Sequence, residues 1–345
     1  MRKLSVILTL ILLLALFAGC VGTPELPTVP ATPEISDAPS TAVPTEPVPV
    51  ESAFTEEELA AVHPMLFRVT GEAGQELYLF GTIHVGDRRI GVALNKLLPW
   101  LDSCEALAVE FDVIAFENDM AAQMQSMTQF LLTDGSKVSD YMPAETFERA
   151  SALLQEAGLY PKLMESYKLS MWAQLVEQAA LLTRTDYDLE IGMDRALIRH
   201  CYDRQMEVRD VESAELQYGL LNSFSDRLNL LLIENTLDSL EDYGAAIDEL
   251  YAAWLEGDYD NLTAVLKGEN EAEEAELSDE QLALLEDYNH QMLTQRNLGM
   301  RDKALEWLRA GDKVFFAVGA AHLVDEGGLV ELLRAEGCTV EQIVY

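Results

Sequence analysis

The sequence is short of positive charge. Its 345 residues carry 23 Lys and Arg against 60 Asp and Glu, a formal net charge of −37. A surface of that sign repels phosphate backbones, which excludes nucleic acid as a partner and keeps the folded body off an anionic bilayer. Cysteine is scarce as well. Cys20, Cys104, Cys201 and Cys338 are widely spaced and form no CxxC, which excludes a disulfide framework and a zinc cluster of cysteines. The three that follow Cys20 read as buried single thiols, with at most one disulfide among them. His-Glu-x-x-His, the Gly-x-Ser-x-Gly elbow and the papain-like cysteine signature are missing, so none of those machineries has support. No repeat of solenoid period is present. The acidic run "EGDYDNLTAVLKGENEAEEAELSDEQ" lies in a helical pattern and reads as a solubility face without chemistry.

One long apolar run exists, and it stands at the N-terminus. Met1, Arg2 and Lys3 precede the apolar stretch Leu4 to Phe17, which is short for a membrane span and closes on "LFAGC". Ala18-Gly19-Cys20 looks like the cleavage and lipidation signal of a bacterial lipoprotein, with residues 1–19 removed and Cys20 acylated. An ordinary secretory signal with an incidental cysteine is the alternative, and both readings export the chain. Removal of 1–19 takes away Arg2 and Lys3 and no acid, so −37 becomes −39. Residues 20–53 are rich in Pro, Thr, Ser and Val without apolar periodicity, which favours an extended, solvated spacer. The expectation is a cell-membrane or cell-surface lipoprotein, attached through the lipid alone, with its folded domain over 54–345.

In that body, "PMLFRVTGEAGQELYLFGTIH" predicts two strands around a Gly-containing turn, the second apolar enough to be buried on both faces. "VALNKLLPWLDSCE" has helical spacing, and "ALAVEFD" (106–112) is a short buried strand. Helical periodicity runs from Phe116 to about Arg204, "QMEVRDVES" (205–213) interrupts it with a strand, and helices resume to about Arg309. "KVFFAVGAAH" and "CTVEQIV" are strands bracketing the helix "LVELLRAEG". This alternation predicts an α/β fold, a central mostly parallel sheet with a large helical insertion or cap.

Ligands of open α/β sheets bind beyond the carboxyl ends of the strands. Polar residues expected there are Thr82 and His84, Glu110 and Asp112, Glu212 and Ser213, and His322. Gly81 and Gly319 stand before the two histidines in matching Gly-x-x-His strings, permitting a tight turn and close backbone approach. Two imidazoles and a carboxylate with open positions are a common set for a catalytic divalent metal, which lowers the pKa of bound water to roughly 7. A packed or capping histidine is the plain alternative for each copy, as a salt bridge or helix cap is for Glu110 and Asp112. His63, His200 and His290 carry no such pattern.

"LYLFGTIHVGD", "ALAVEFD", "DLEIGMDRAL", "VESAELQ", "RNLGM" and "VFFAVGAAHLVDEGGLVELLRAEGCTVEQI" together resemble the TraB/PrgY/GumN family, also called TIKI, over residues 62–345. The resemblance implies an α/β fold related to the haem-binding ChaN and erythromycin-esterase-like proteins. It implies metal-dependent proteolysis, as described for animal TIKI members that trim Wnt ligands, with Mn²⁺ or Co²⁺ favoured and Zn²⁺ also suited; PrgY is linked to limiting a peptide pheromone. The family histidines fall on His84 and His322 and the family acid on Glu110. The Glu-x-Gly-x-Asp segment falls on Glu190, Gly192 and Asp194, the Glu with downstream Gln on Glu212 and Gln217, and the Arg-Asn pair on Arg296 and Asn297. Glu190 and Asp194, four apart on one expected helix, suit a capping or ion-pair role.

Two functions follow. One is a surface-tethered metallohydrolase for peptide or protein substrates, with metal at His84, Glu110 and His322, Glu212 as general base, and Arg296 with Asn297 positioning substrate. The other is a non-catalytic lipoprotein that sequesters a peptide or a haem-like ligand in the same cleft.

Overall fold

Runs of four to seven residues form the strands β1 (Leu66–Thr70), β2 (Glu76–Thr82), β3 (Ala106–Val109), β4 (Glu207–Asp210), β5 (Val314–Gly319) and β6 (Thr339–Gln342), with β3 and β5 the most apolar. In the computed structural model, which describes residues 55–160, 163–268 and 277–345, they make one sheet in the order β4-β3-β5-β2-β1-β6. The leader, Cys20 and the proline-rich spacer lie outside the described residues. β2, β5, β3 and β4 run parallel, whereas β1 is antiparallel to both β2 and β6. The fold is therefore α/β with a mostly parallel sheet, as the alternation of elements predicts.

Every residue of β3 and β5 is buried, because helices cover both faces of a parallel sheet. Phe315 and Phe316 point to opposite faces, each burial contributing roughly 1.5–3 kcal/mol. Helix Arg89–Leu101 carries the chain from β2 to β3, Met193–Asp203 leads into β4, and Gln295–Ala310 into β5. Between these elements lies a helical lobe. At its centre, Leu169–Arg184 is buried on every side from Leu169 to Leu181, the pattern of a helix surrounded by other helices. Asp226–Asp238 and Ala144–Glu156 pack against it.

β3, β4, β5 and β6 are all shorter than the sequence pattern predicts, and the shortening of β3 and β5 shapes the site. β3 stops at Val109, which frees Glu110, and Asp112 instead caps helix Val113–Asn118 by accepting from the Ala115 N–H at 2.8 Å. β5 stops at Gly319, and Ala320–His322 is a single 3₁₀ turn rather than strand. The register is what matters for a site. Thr82 pairs with Gly319, and Val109 with both Ala317 and Asp210, so the four parallel strands end within two residues of one another along one edge. Cys104, Cys201 and Cys338 are buried free thiols. Among the described residues no helix is long and apolar enough to cross a membrane.

Candidate functional site

His84 follows β2 by two residues and is held by the start of helix Met193–Asp203. The Met193 N–H donates to the Ile83 carbonyl at 2.8 Å. Asp194, in the first helical turn where the macrodipole favours an acid, places Oδ2 2.8 Å from His84 Nδ1, while Thr82 Oγ1 donates to Oδ1 at 2.7 Å. Glu190 sits apart from Asp194. It belongs to a separate 3₁₀ turn, Leu189–Ile191, and pairs with Arg199 at 3.3 Å, so the single helix expected across both acids is broken at Gly192. That break is needed. A Cβ on Gly192 would stand 2.4 Å from the His84 carbonyl oxygen. Gly192→Ala is expected to cost roughly 1–3 kcal/mol by forcing the two segments apart. Gly299→Ala, where a Cβ meets nothing within 4 Å in mid-helix, should instead stabilise by up to about 1 kcal/mol. Denaturant midpoints of the pair check both signs.

His322 closes the 3₁₀ turn and is fully buried. Its tautomer follows from its partners. The Gly327 carbonyl can only accept, so the Asn297 amide nitrogen faces it at 2.8 Å, and Asn297 Oδ1 faces His322 Nδ1 at 2.6 Å. An acceptor there requires the proton on Nδ1, which leaves the Nε2 lone pair outward. Burial, reinforced by the nearby Arg296 cation, pushes this imidazole from 6.5 down to about 3, so it is neutral at physiological pH. Nε2 has no hydrogen-bond partner among the described residues and lies 3.8 Å from Glu110 Oε1.

Glu110 meets three donors: the Gly319 N–H on Oε1 at 2.9 Å, and Gln217 Nε2 (3.0 Å) and Arg296 Nη2 (2.5 Å) on Oε2. Burial opposes its ionisation, but the Arg296 cation foremost, with the Gly319 N–H, holds the carboxyl well below the usual carboxylate range. Arg296 also grips Glu212, Nε to Oε1 at 2.9 Å and Nη2 to Oε2 at 2.7 Å, and Nη1 donates to the Met292 carbonyl at 3.1 Å. Gln217 ties Glu212 to the same network at 2.9 Å. Arg296 and Asn297 are adjacent yet serve opposite halves of the centre. They follow a π-helical turn, His290–Thr294, a wide turn of the kind often found at functional sites.

The chain from 65 to 342 matches the model of the TraB/PrgY/gumN family. It belongs to that family. No curated protein and no solved structure matches it. The TraB/PrgY/gumN residues predicted for the site thus divide into three groups. His84, Glu110, His322, Glu212, Gln217, Arg296, Asn297, Thr82, Asp194, Gly81 and Gly319 come together at the strand ends, while Glu190 stands outside and Cys20 lies beyond the described residues. Trp254 and Gly327 were not foreseen. The Trp254 indole N–H donates to the Gly81 carbonyl at 2.8 Å, and an aromatic at helical spacing looks like core in the sequence.

Among the described residues no group of three or more His, Cys, Asp or Glu side chains forms a ready-made metal cluster. The pair His322 and Glu110 is nonetheless suggestive. Two acceptors face each other at 3.8 Å, too far for a direct hydrogen bond and close to the span of two ligands each ~2.1 Å from one ion. The charge balance points the same way, since one guanidinium stands against the carboxylates of Glu110 and Glu212.

Proposed function

We propose that the protein is a metal-dependent hydrolase of peptides whose ion is held by His322 Nε2, Glu110 and His84. The buried, unpartnered His322 Nε2 opposite an ionised carboxylate carries this reading, because a lone pair facing a lone pair in the interior calls for a cation between them. Mn²⁺, Co²⁺ or Zn²⁺ would suit imidazole and carboxylate ligands, and when bound supplies the Lewis acidity that polarises a carbonyl and acidifies water.

The protein's own residues do the rest. Asp194 and Asn297 hold the two rings at Nδ1, which orients each ring and leaves Nε2 to face an ion, as partners of metal-ligating histidines do. Arg296 keeps Glu110 ionised and fixed. With its donors spent on Glu110, Glu212 and Met292, Arg296 is a positioning residue in this reading and not a clamp for substrate. Glu212, with both carboxylate oxygens engaged by that same guanidinium, anchors Arg296 in place of acting as base.

A peptide library incubated with Mn²⁺-loaded protein should be cleaved, cleavage should stop with a chelator, and His322→Ala should reduce it at least a hundredfold. Fully loaded protein that cleaves nothing contradicts the hydrolase and supports sequestration of a peptide.

A further inference from the structure

The recess beside His84 is walled by Leu250, Trp254, Leu262, Leu266, Ala320 and Ala321. Its volume of about 20 Å³ exceeds the ~10–15 Å³ that one water needs, so it can take a small apolar group. At Leu266 and Ala321 it adjoins a wider cavity of about 390 Å³, bordered by Asn289, Thr294, Asn297 and Gly327. Protein interiors are close-packed, and a void larger than a water kept against a functional imidazole asks for a reason.

We propose that this recess is the subsite for a small apolar side chain, alanine to valine in size, next to the bond that is hydrolysed. The proposal rests on the hydrolase reading and adds its specificity. The walls carry the chemistry. Leu250, Leu262 and Leu266 come from helices Tyr243–Glu256 and Tyr259–Lys267 and are buried, so an apolar group entering there displaces no well-bound water. The walls are also fixed. Trp254 is bonded to the Gly81 carbonyl and stacks on Tyr251 with centroids 5.9 Å apart. The turns behind it are closely packed: a Cβ on Gly81 would lie 3.1 Å from Ala320 and 3.2 Å from Leu323. Each methylene buried there should tighten binding about fourfold until the recess is full, after which overpacking reverses the trend.

The test uses acyl hydroxamates, which chelate metal through one end and present a chain of chosen length. With Mn²⁺-loaded full-length protein, affinity should rise about fourfold from acetyl to propionyl, peak at propionyl or isobutyryl, and fall at least tenfold at hexanoyl. Leu266→Ala should move the peak to longer chains, and Ala321→Ile should shorten it to acetyl. The corresponding simple amides, added at millimolar levels to metal-free protein, separate the subsite from the metal. Methyl NMR signals of Ala320, Ala321 and Leu266 should shift with isobutyramide and not with hexanamide. Shifts of this kind without hydroxamate binding would overturn the metal centre and uphold the recess. An unchanged length profile in Leu266→Ala and Ala321→Ile, or no methyl shift with any amide, would make the recess a packing void only.

Discussion

Arg296→Met is expected to destabilise the protein by about 3–5 kcal/mol, the usual cost of removing one partner from a buried ion pair. Arg296 is 6% exposed and stands between Glu110 and Glu212, which are nearly as buried. Burial works against its charge, yet the two carboxylates raise its pKa above the ordinary arginine value. Methionine fills a similar volume, so the loss reports charge and hydrogen bonds more than packing. Both carboxylates would then be buried with Gln217 as their remaining shared side-chain donor. The measurement is a urea midpoint, with the triple variant Arg296→Met, Glu110→Gln, Glu212→Gln beside it. Because that variant buries no uncompensated charge, it should recover much of the loss. A loss below about 1 kcal/mol for Arg296→Met alone would show that the network is solvated, contrary to its burial.

The second large effect concerns the lobe. Glu177 is 1% exposed, accepting from Tyr243 Oη at 2.7 Å and Thr236 Oγ1 at 2.8 Å. Burial pushes its carboxyl from 4.5 up to about 7, with the two hydroxyls opposing. A carboxyl whose folded pKa is raised contributes its stability fully below pH 4.5 and loses it as pH rises to about 7. The loss is of the order of 3 kcal/mol and stays constant above that window. Glu177→Gln removes the titration. The variant should match the wild type near pH 4 and be more stable by up to about 3 kcal/mol at pH 8. The amide can keep both contacts, because Thr236 Oγ1 has an alternative acceptor in the Leu232 carbonyl at 3.1 Å. Thermal unfolding of both proteins between pH 4 and pH 8 checks the sign. A difference that does not grow across that range would place water around Glu177.

The assembly of the centre was legible where it depends on strand ends. Short apolar runs ending in Gly81-Thr82, Glu110 and Gly319 identified parallel strands, and such strands must finish at one edge. His84, Glu110 and His322 follow from that alone. The direction in which Arg296 and Asn297 point does not. It depends on the π turn at His290–Thr294 and on partners 84 and 25 residues away, Glu212 and His322, and helical periodicity encodes neither. The break at Gly192 was likewise hidden, because Glu190 and Asp194 have helical spacing and the reason for the glycine lies across space at the His84 carbonyl. Ala320 and Ala321 read as strand because small apolar residues extend any buried run. In the fold they turn, and so bury His322 against Asn297.

The proposed metal centre is tested most directly by stoichiometry. Purified protein dialysed against Mn²⁺ should retain one ion per chain, and His84→Ala and His322→Ala should each retain far less while keeping their circular dichroism. Wild-type protein without bound metal, or histidine variants that hold as much as wild type, would contradict it.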